Sequence, residues 1–185
     1  MDSPFLAALR TAQTILVAVH VRPDGDAVAS LGAAVSILRD NGFQAFGVLP
    51  EQPSKDLAPF LPAEGILQSA EGIEADVFIT ADCSKPDRVA AGGYPFEHCQ
   101  TLINIDHHPD NPNFGTLNLV APDAAACTEN LYTLFRDAGF RISQENATRL
   151  LLGLITDSGC FRFQNTSPNA FRTAAELMEL GADHK

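Results

Sequence analysis

The sequence predicts an α/β domain: a mostly parallel sheet flanked by helices in a Rossmann-like, three-layer arrangement. Three observations carry the prediction. Apolar, β-branched-rich runs alternate along the chain with segments of helical periodicity. The runs show no inside–outside alternation, as expected of parallel strands buried on both faces. The 185 residues are 45% hydrophobic, enough for one domain with a real core, or for one domain and the start of another.

The elements follow in chain order. Residues 4–13 read as a short helix leading into "TILVAVH" (14–20), the first strand. "DAVASLGAAVSILRDNG" (26–42) places Val28, Leu31, Val35 and Leu38 at helical spacing and stops at Asn41-Gly42. "QAFGVLP" (44–50) is a second strand, and 51–72 reads as irregular chain with a short helix. "ADVFITADCS" (75–84) and "TLINIDHH" (101–108) are the third and fourth strands, and "PDNPNFG" (109–115) is a loop. Three helices close the chain: "TENLYTLFRDAG", "SQENATRLLLGLITDSG" and "SPNAFRTAAELMELGADHK". Thr128 and Ser143 are the expected N-caps of the first two, and Ser167-Pro168 starts the third.

Composition narrows the function. There are 12 basic and 23 acidic residues, a formal net charge of −11. A sequence-independent duplex binder would need many cations to neutralise phosphates, so the balance argues against that class. A small phosphorylated substrate is not excluded, because bound cations can supply positive charge. Cys83, Cys99, Cys127 and Cys160 form no C-x-x-C pair, which argues for four reduced thiols rather than a thiolate zinc site. "ILVAV" is too short to span a membrane and has no cleavage pattern after it.

Polar residues fall where the apolar runs end. The first strand ends at His20, followed by Asp24 and Asp26; the third ends at Asp82; the fourth ends at Asp106-His107-His108. Alone, Pro23-Asp24-Gly25 reads as a turn, with Gly25 accepting positive φ. Alone, Asp82 reads as a strand-end acid. In an open parallel sheet, however, ligands bind at the carboxyl ends of the strands, which lie together on one edge. Asp157 ends an apolar helix, a position the macrodipole disfavours for an acid. Two unit charges ~4 Å apart repel by about 4 kcal/mol at an effective dielectric of 20. Convergent carboxylates would therefore bind protons or cations. Carboxylate and imidazole donors without thiolate suit Mn²⁺, Mg²⁺ or Zn²⁺.

"HVRPDGDAVAS", "ADCS", "NIDHHPDNPNFG" and "GLITDSGCFRF", in this order, resemble the four motifs of the DHH phosphoesterase family. The resemblance spans residues 15–180. "ADCS-x-x-x-R" and "DHHPDN" are most similar to the bacterial branch that degrades nanoRNA and dephosphorylates pAp. The resemblance implies two divalent metal ions, Mn²⁺ first and Mg²⁺ as the alternative. It implies that His20 and Asp24 bind one metal and that Asp26, His107 and Asp157 bind the other. Asp82 would bridge them, His108 would meet the scissile phosphate, and Asp106 would orient the histidines; His108, Asp82 and Asp106 form the implied catalytic set. A short oligonucleotide or small nucleotide would be hydrolysed by metal-activated water in a cytoplasmic protein, without duplex DNA or membrane as partner and with a homodimer expected. The implied catalytic domain is 1–180, with 181–185 starting a linker to a C-terminal substrate-binding domain absent here. A family II-type inorganic pyrophosphatase and a non-catalytic nucleotide- or metal-binding module stay open as alternatives. Relatives often carry Ser-Ser-Thr where this chain has Ala126-Cys127-Thr128.

Overall fold

The computed structural model describes residues 3–184. Met1, Asp2 and Lys185, each inside an expected segment, lie outside the described residues. The sheet has six strands in the order β3-β2-β1-β4-β5-β6, and every pairing is parallel. The strands are β1 (Ile15–Ala18), β2 (Ala45–Val48), β3 (Ile66–Leu67), β4 (Val77–Ala81), β5 (Thr101–Asp106) and β6 (Leu117–Val120). The helices are α1 (Pro4–Thr11), α2 (Gly25–Asp40), α3 (Cys127–Asp137), α4 (Gln144–Asp157) and α5 (Pro168–Glu179).

The sheet is buried on both faces, as its unbroken apolar runs require. Ile15, Val17, Ile79, Ile103 and Ile105 point under the five helices. Leu16, Ala18, Phe78 and Leu102 point the other way, where irregular chain covers them through Ala70 and Phe96. Phe78 stacks on Tyr94 there, with centroids 5.2 Å apart and planes 2° off parallel. The order reverses between β1 and β4: the chain winds outward from β1 through β2 to β3, then crosses back and outward through β4 to β6. A crevice therefore opens at the carboxyl ends of β1 and β4.

Several boundaries differ from the sequence expectation. The irregular stretch 51–72 contains β3 as well as a 3₁₀ turn at Ala58–Phe60. β6 follows the 109–115 loop. Both strands are short and only partly buried, so neither leaves an apolar run in the sequence. The last helix stops at Glu179, where Leu180 caps it and Gly181 turns at φ +92.

The turn expected at Pro23-Asp24-Gly25 is instead the start of α2. Asp24 is its N-cap, accepting from the Ala27 amide at 3.1 Å. Gly25 is helical, and the left-handed residue is Arg22, at φ 55. Glycine suits position 25 because α4 lies close: a Cβ there would come within 2.7 Å of Thr156 Oγ1.

Candidate metal centre

His20 follows β1, Asp82 follows β4, Asp106 ends β5, and His107 and His108 follow it. Asp24 and Asp26 open α2, and Asp157 ends α4. All eight meet at the strand-order reversal. Asp82 Oδ2 is 3.6 Å from His20 Nε2, and Asp82 Oδ1 is 3.7 Å from His107 Nε2. His20 Nε2 is 3.7 Å from Asp24 Oδ2, and His107 Nε2 is 3.4 Å from Asp157 Oδ2. Donor atoms lie within 4.8 Å of one another in three groups: His20-Asp24-Asp82, Asp26-His107-Asp157, and Asp82-Asp106-His107-His108. His98 and His184 are in none of these groups.

The protein holds the donors in place from behind. Asp82 adopts φ 52, a conformation that disfavours residues with a Cβ. Its amide is held by Ile105 O at 3.0 Å and by Cys127 Sγ at 3.2 Å. Asp26 is 1% exposed, and its carboxylate receives the amides of Cys127 (2.6 Å) and Thr128 (3.2 Å) and the Thr128 hydroxyl (2.8 Å). This overturns the expected cap of α3. The helix starts at Cys127 after Ala126, whose side chain caps nothing. The Asp26 carboxylate, reaching over from α2, satisfies those first amides in place of a Thr128 cap.

The imidazoles are oriented with equal clarity. His20 Nδ1 is 2.9 Å from Val21 O, and His107 Nδ1 is 3.3 Å from Ala124 O. A carbonyl only accepts, so each Nδ1 carries a proton and each Nε2 is the ring nitrogen turned toward the carboxylates. His108 is turned the other way. Its Nδ1 donates to Asp106 Oδ1 at 2.8 Å, which leaves Nε2 free. Asn111 Nδ2 donates to the other Asp106 oxygen at 2.6 Å, and Asn130 Nδ2 holds the Asp106 carbonyl at 3.1 Å.

These contacts shift the titrations. Asp24 first, then Asp82, raises His20 to about 10. Asp106 raises His108 to about 9. Burial alone would raise Asp106, but His108 and Asn111 outweigh it and hold its carboxyl below the usual range. Burial pushes Asp26 well up, and Asp82 and Asp157 add to the push. Burial also raises Asp157. Among the described residues, no Lys or Arg forms an ion pair with Asp24, Asp26, Asp82, Asp106 or Asp157. Clustered oxygen donors, the Nε2 atoms of His20 and His107 turned into the cluster and that absence of Lys or Arg partners fit divalent metal.

Sequence reasoning left Asn111, Cys127, Thr128 and Asn130 without a role at the site. Asn111 lies inside the quoted "DHHPDN", so its spacing to Asp106 was the available signal. Thr128 reaches Asp26 across 102 residues, which no local pattern reveals. Arg88, within "ADCS-x-x-x-R", brings a guanidinium nitrogen to 3.4 Å from His20 Nδ1.

The strand order and this cluster define a parallel α/β domain with a candidate acid–imidazole metal site at the point where the strand order reverses. The chain belongs to the DHH family: the description "DHH family, N-terminal domain" matches residues 14–155. It is 38% identical over 171 residues to the bifunctional oligoribonuclease and PAP phosphatase NrnA of Thermus thermophilus, covering 90% of this chain and 50% of that protein. It is 26% identical over 187 residues to the protein of the same name from Bacillus subtilis, covering 97% of this chain and 57% of that one. An exopolyphosphatase-related protein from Bacteroides fragilis superposes with a TM-score of 0.86 at 25% identity, covering 97% of this chain and 56% of that chain. The chain thus spans about half the length of the curated relatives it matches. Among the described residues, no helix is long and apolar enough to cross a membrane.

Proposed function

We propose that this domain is a divalent-metal-dependent phosphoesterase that hydrolyses short oligonucleotides or small nucleotides such as pAp in the cytoplasm. The observation that carries the reading is the position of Asp82, whose two oxygens each face a different imidazole. Membership of the DHH family and the activities named for the Thermus and Bacillus relatives support the substrate class. In this reading His20, Asp24 and Asp82 would hold one divalent cation, Mn²⁺, and Asp26, His107 and Asp157, sharing Asp82, would hold the second.

Bound there, the cations would lower the pKa of a water and offset charge on the phosphoryl oxygens. The chain supplies the rest. Asp82 fixes the spacing of the two donor groups. Asp26, anchored by α3 amides, places its group without swinging. His108, protonated at neutral pH and hydrogen-bonded to Asp106, binds the phosphate and hands a proton from Nε2 to the leaving oxygen. Residues 1–180 form the catalytic domain, and 181–185 lead toward a substrate-binding domain. The net charge of −11 supports small substrates over duplex DNA, and a homodimer is the assembly proposed.

The experiment is a substrate panel with Mn²⁺: pAp, RNA of two to five residues, linear and cyclic dinucleotides, and pyrophosphate. Turnover of pAp or the linear oligonucleotides is expected. Turnover of pyrophosphate alone would replace the reading with a pyrophosphatase, and binding without turnover with a sensing module.

A further inference from the structure

We propose that Phe163, with Arg162 beside it, forms a nucleobase seat at the edge of the metal centre. The inference rests on the phosphoesterase reading and adds how the substrate's organic part is gripped.

The segment 158–165 leaves α4 directly after Asp157 and comes back to it. Asn165 Nδ2 donates to Asp157 O at 3.1 Å and to Ala125 O at 2.8 Å, closing the segment beside the site. Within it Gly159, Cys160 and Phe161 follow one another at φ 57, 57 and 62. Two residues with a Cβ in the left-handed region are costly, and such strain persists where surrounding bonds over-determine it. They do so here. Ser158 Oγ accepts from the Phe161 amide at 3.0 Å, and Ser158 O accepts from the Arg162 and Phe163 amides at 2.9 and 3.0 Å.

The segment presents two groups. Phe163 is 59% exposed, the most exposed large hydrophobic among the described residues. Its ring lies against Gly159, where a Cβ would come within 2.5 Å of Cζ, so the backbone supports one side and the rest is open. Phe161, by contrast, stacks on Phe171 with centroids 5.0 Å apart and packs against the core. Arg162 Nε donates to Gly159 O at 2.9 Å, and no ion pair engages its guanidinium among the described residues. An open ring and an available cation are thus fixed to one glycine, two residues beyond Asp157. That pairing matches a nucleotide: base on the ring, phosphate toward the cation and the centre. A chain of net charge −11 gains little grip from phosphate neutralisation, whereas base–aromatic stacking is strong and tolerant of sequence.

The chain has no Trp, so Phe163→Trp creates a single fluorophore at the seat. With Mn²⁺ present, an adenine dinucleotide is expected to quench it, and an abasic dinucleotide with the same phosphates is not. Absence of quenching by the base-bearing compound, or equal quenching by both, would overturn the proposal. Phe163→Ala is expected to lower the ratio of kcat/KM for base-bearing over abasic substrate ~10-fold, and Phe163→Tyr to preserve it. Equal losses on both substrates would assign Phe163 a purely structural role. Failure of the unmodified chain to cleave any phosphoester would end the phosphoesterase reading, while the quenching comparison would still decide whether a base sits on residue 163.

Discussion

The Asp82 carboxylate stands 3.6 Å from His20 Nε2, at the carboxyl ends of two adjacent strands. Its second oxygen is 3.7 Å from His107 Nε2. Asp82→Asn keeps the shape of the side chain but removes the charge shared by the two donor groups. Mn²⁺-dependent hydrolysis should fall by more than ~100-fold while circular dichroism and thermal melting stay near wild type. Wild-type turnover would remove Asp82 from its bridging place.

His108 is held near 9 by Asp106, so it carries a proton at neutral pH. Replacing Asp106 with Asn withdraws the group that raises it, and the His108 pKa should drop toward 6.5. The alkaline limb of the rate profile should move to lower pH. A profile whose alkaline limb stays in place in Asp106→Asn would remove His108 as proton donor. His108→Ala should cost about 100- to 10,000-fold in kcat.

His20, Asp26, His108 and Asp157 all have raised pKa values in the folded protein. Each binds a proton more tightly folded than unfolded, so its stabilisation is lost as pH rises. For the histidines it is complete below 6.5 and lost through about 9 and about 10. Asp24 and Asp106 are shifted down, so their stabilisation is lost only on acidification below about 3.8. The melting temperature of chelator-treated protein should therefore fall between pH 7 and 10. Because His20 must give up its proton to ligate, Mn²⁺ binding at pH 7 should release protons and tighten with pH. Calorimetry in buffers of differing ionisation enthalpy measures the release; zero protons would contradict the ligand role of His20.

Thr128 donates its hydroxyl to Asp26 at 2.8 Å, and a Cβ on Gly153 would collide with that same carboxylate and with Thr128. Thr128→Val should weaken metal binding about 10- to 100-fold with little change in fold. Gly153→Ala should weaken it too, and should also destabilise the protein by ~1–3 kcal/mol through overpacking of α4 on α2. Unchanged metal affinity in both would show that Asp26 needs no such support.

Much of this was legible in the chain. β1, β4 and β5 announce themselves because strands buried on both faces need unbroken apolar runs. The polar residues that break those runs are the residues that meet at the crevice. β3 and β6 escaped because edge strands with partial burial carry no such run. Gly25 was misread because a turn and a capped helix start use the same residues; what separates them is the proximity of Thr156, 131 positions away in sequence. The α3 cap was misread for a similar reason, since the Asp26 carboxylate does locally what Thr128 was expected to do. The convergence of the strand ends was readable; the individual hydrogen bonds and close approaches between distant elements, such as Thr128 to Asp26 and Thr156 to Gly25, were not.

Chelation followed by metal titration tests the central claim most directly. Hydrolysis of a dinucleotide and of pAp is measured after exhaustive chelator treatment and again as Mn²⁺ is restored. The account predicts loss of turnover on chelation and recovery as two Mn²⁺ bind per chain. Turnover that survives the removal of all divalent metal would contradict it.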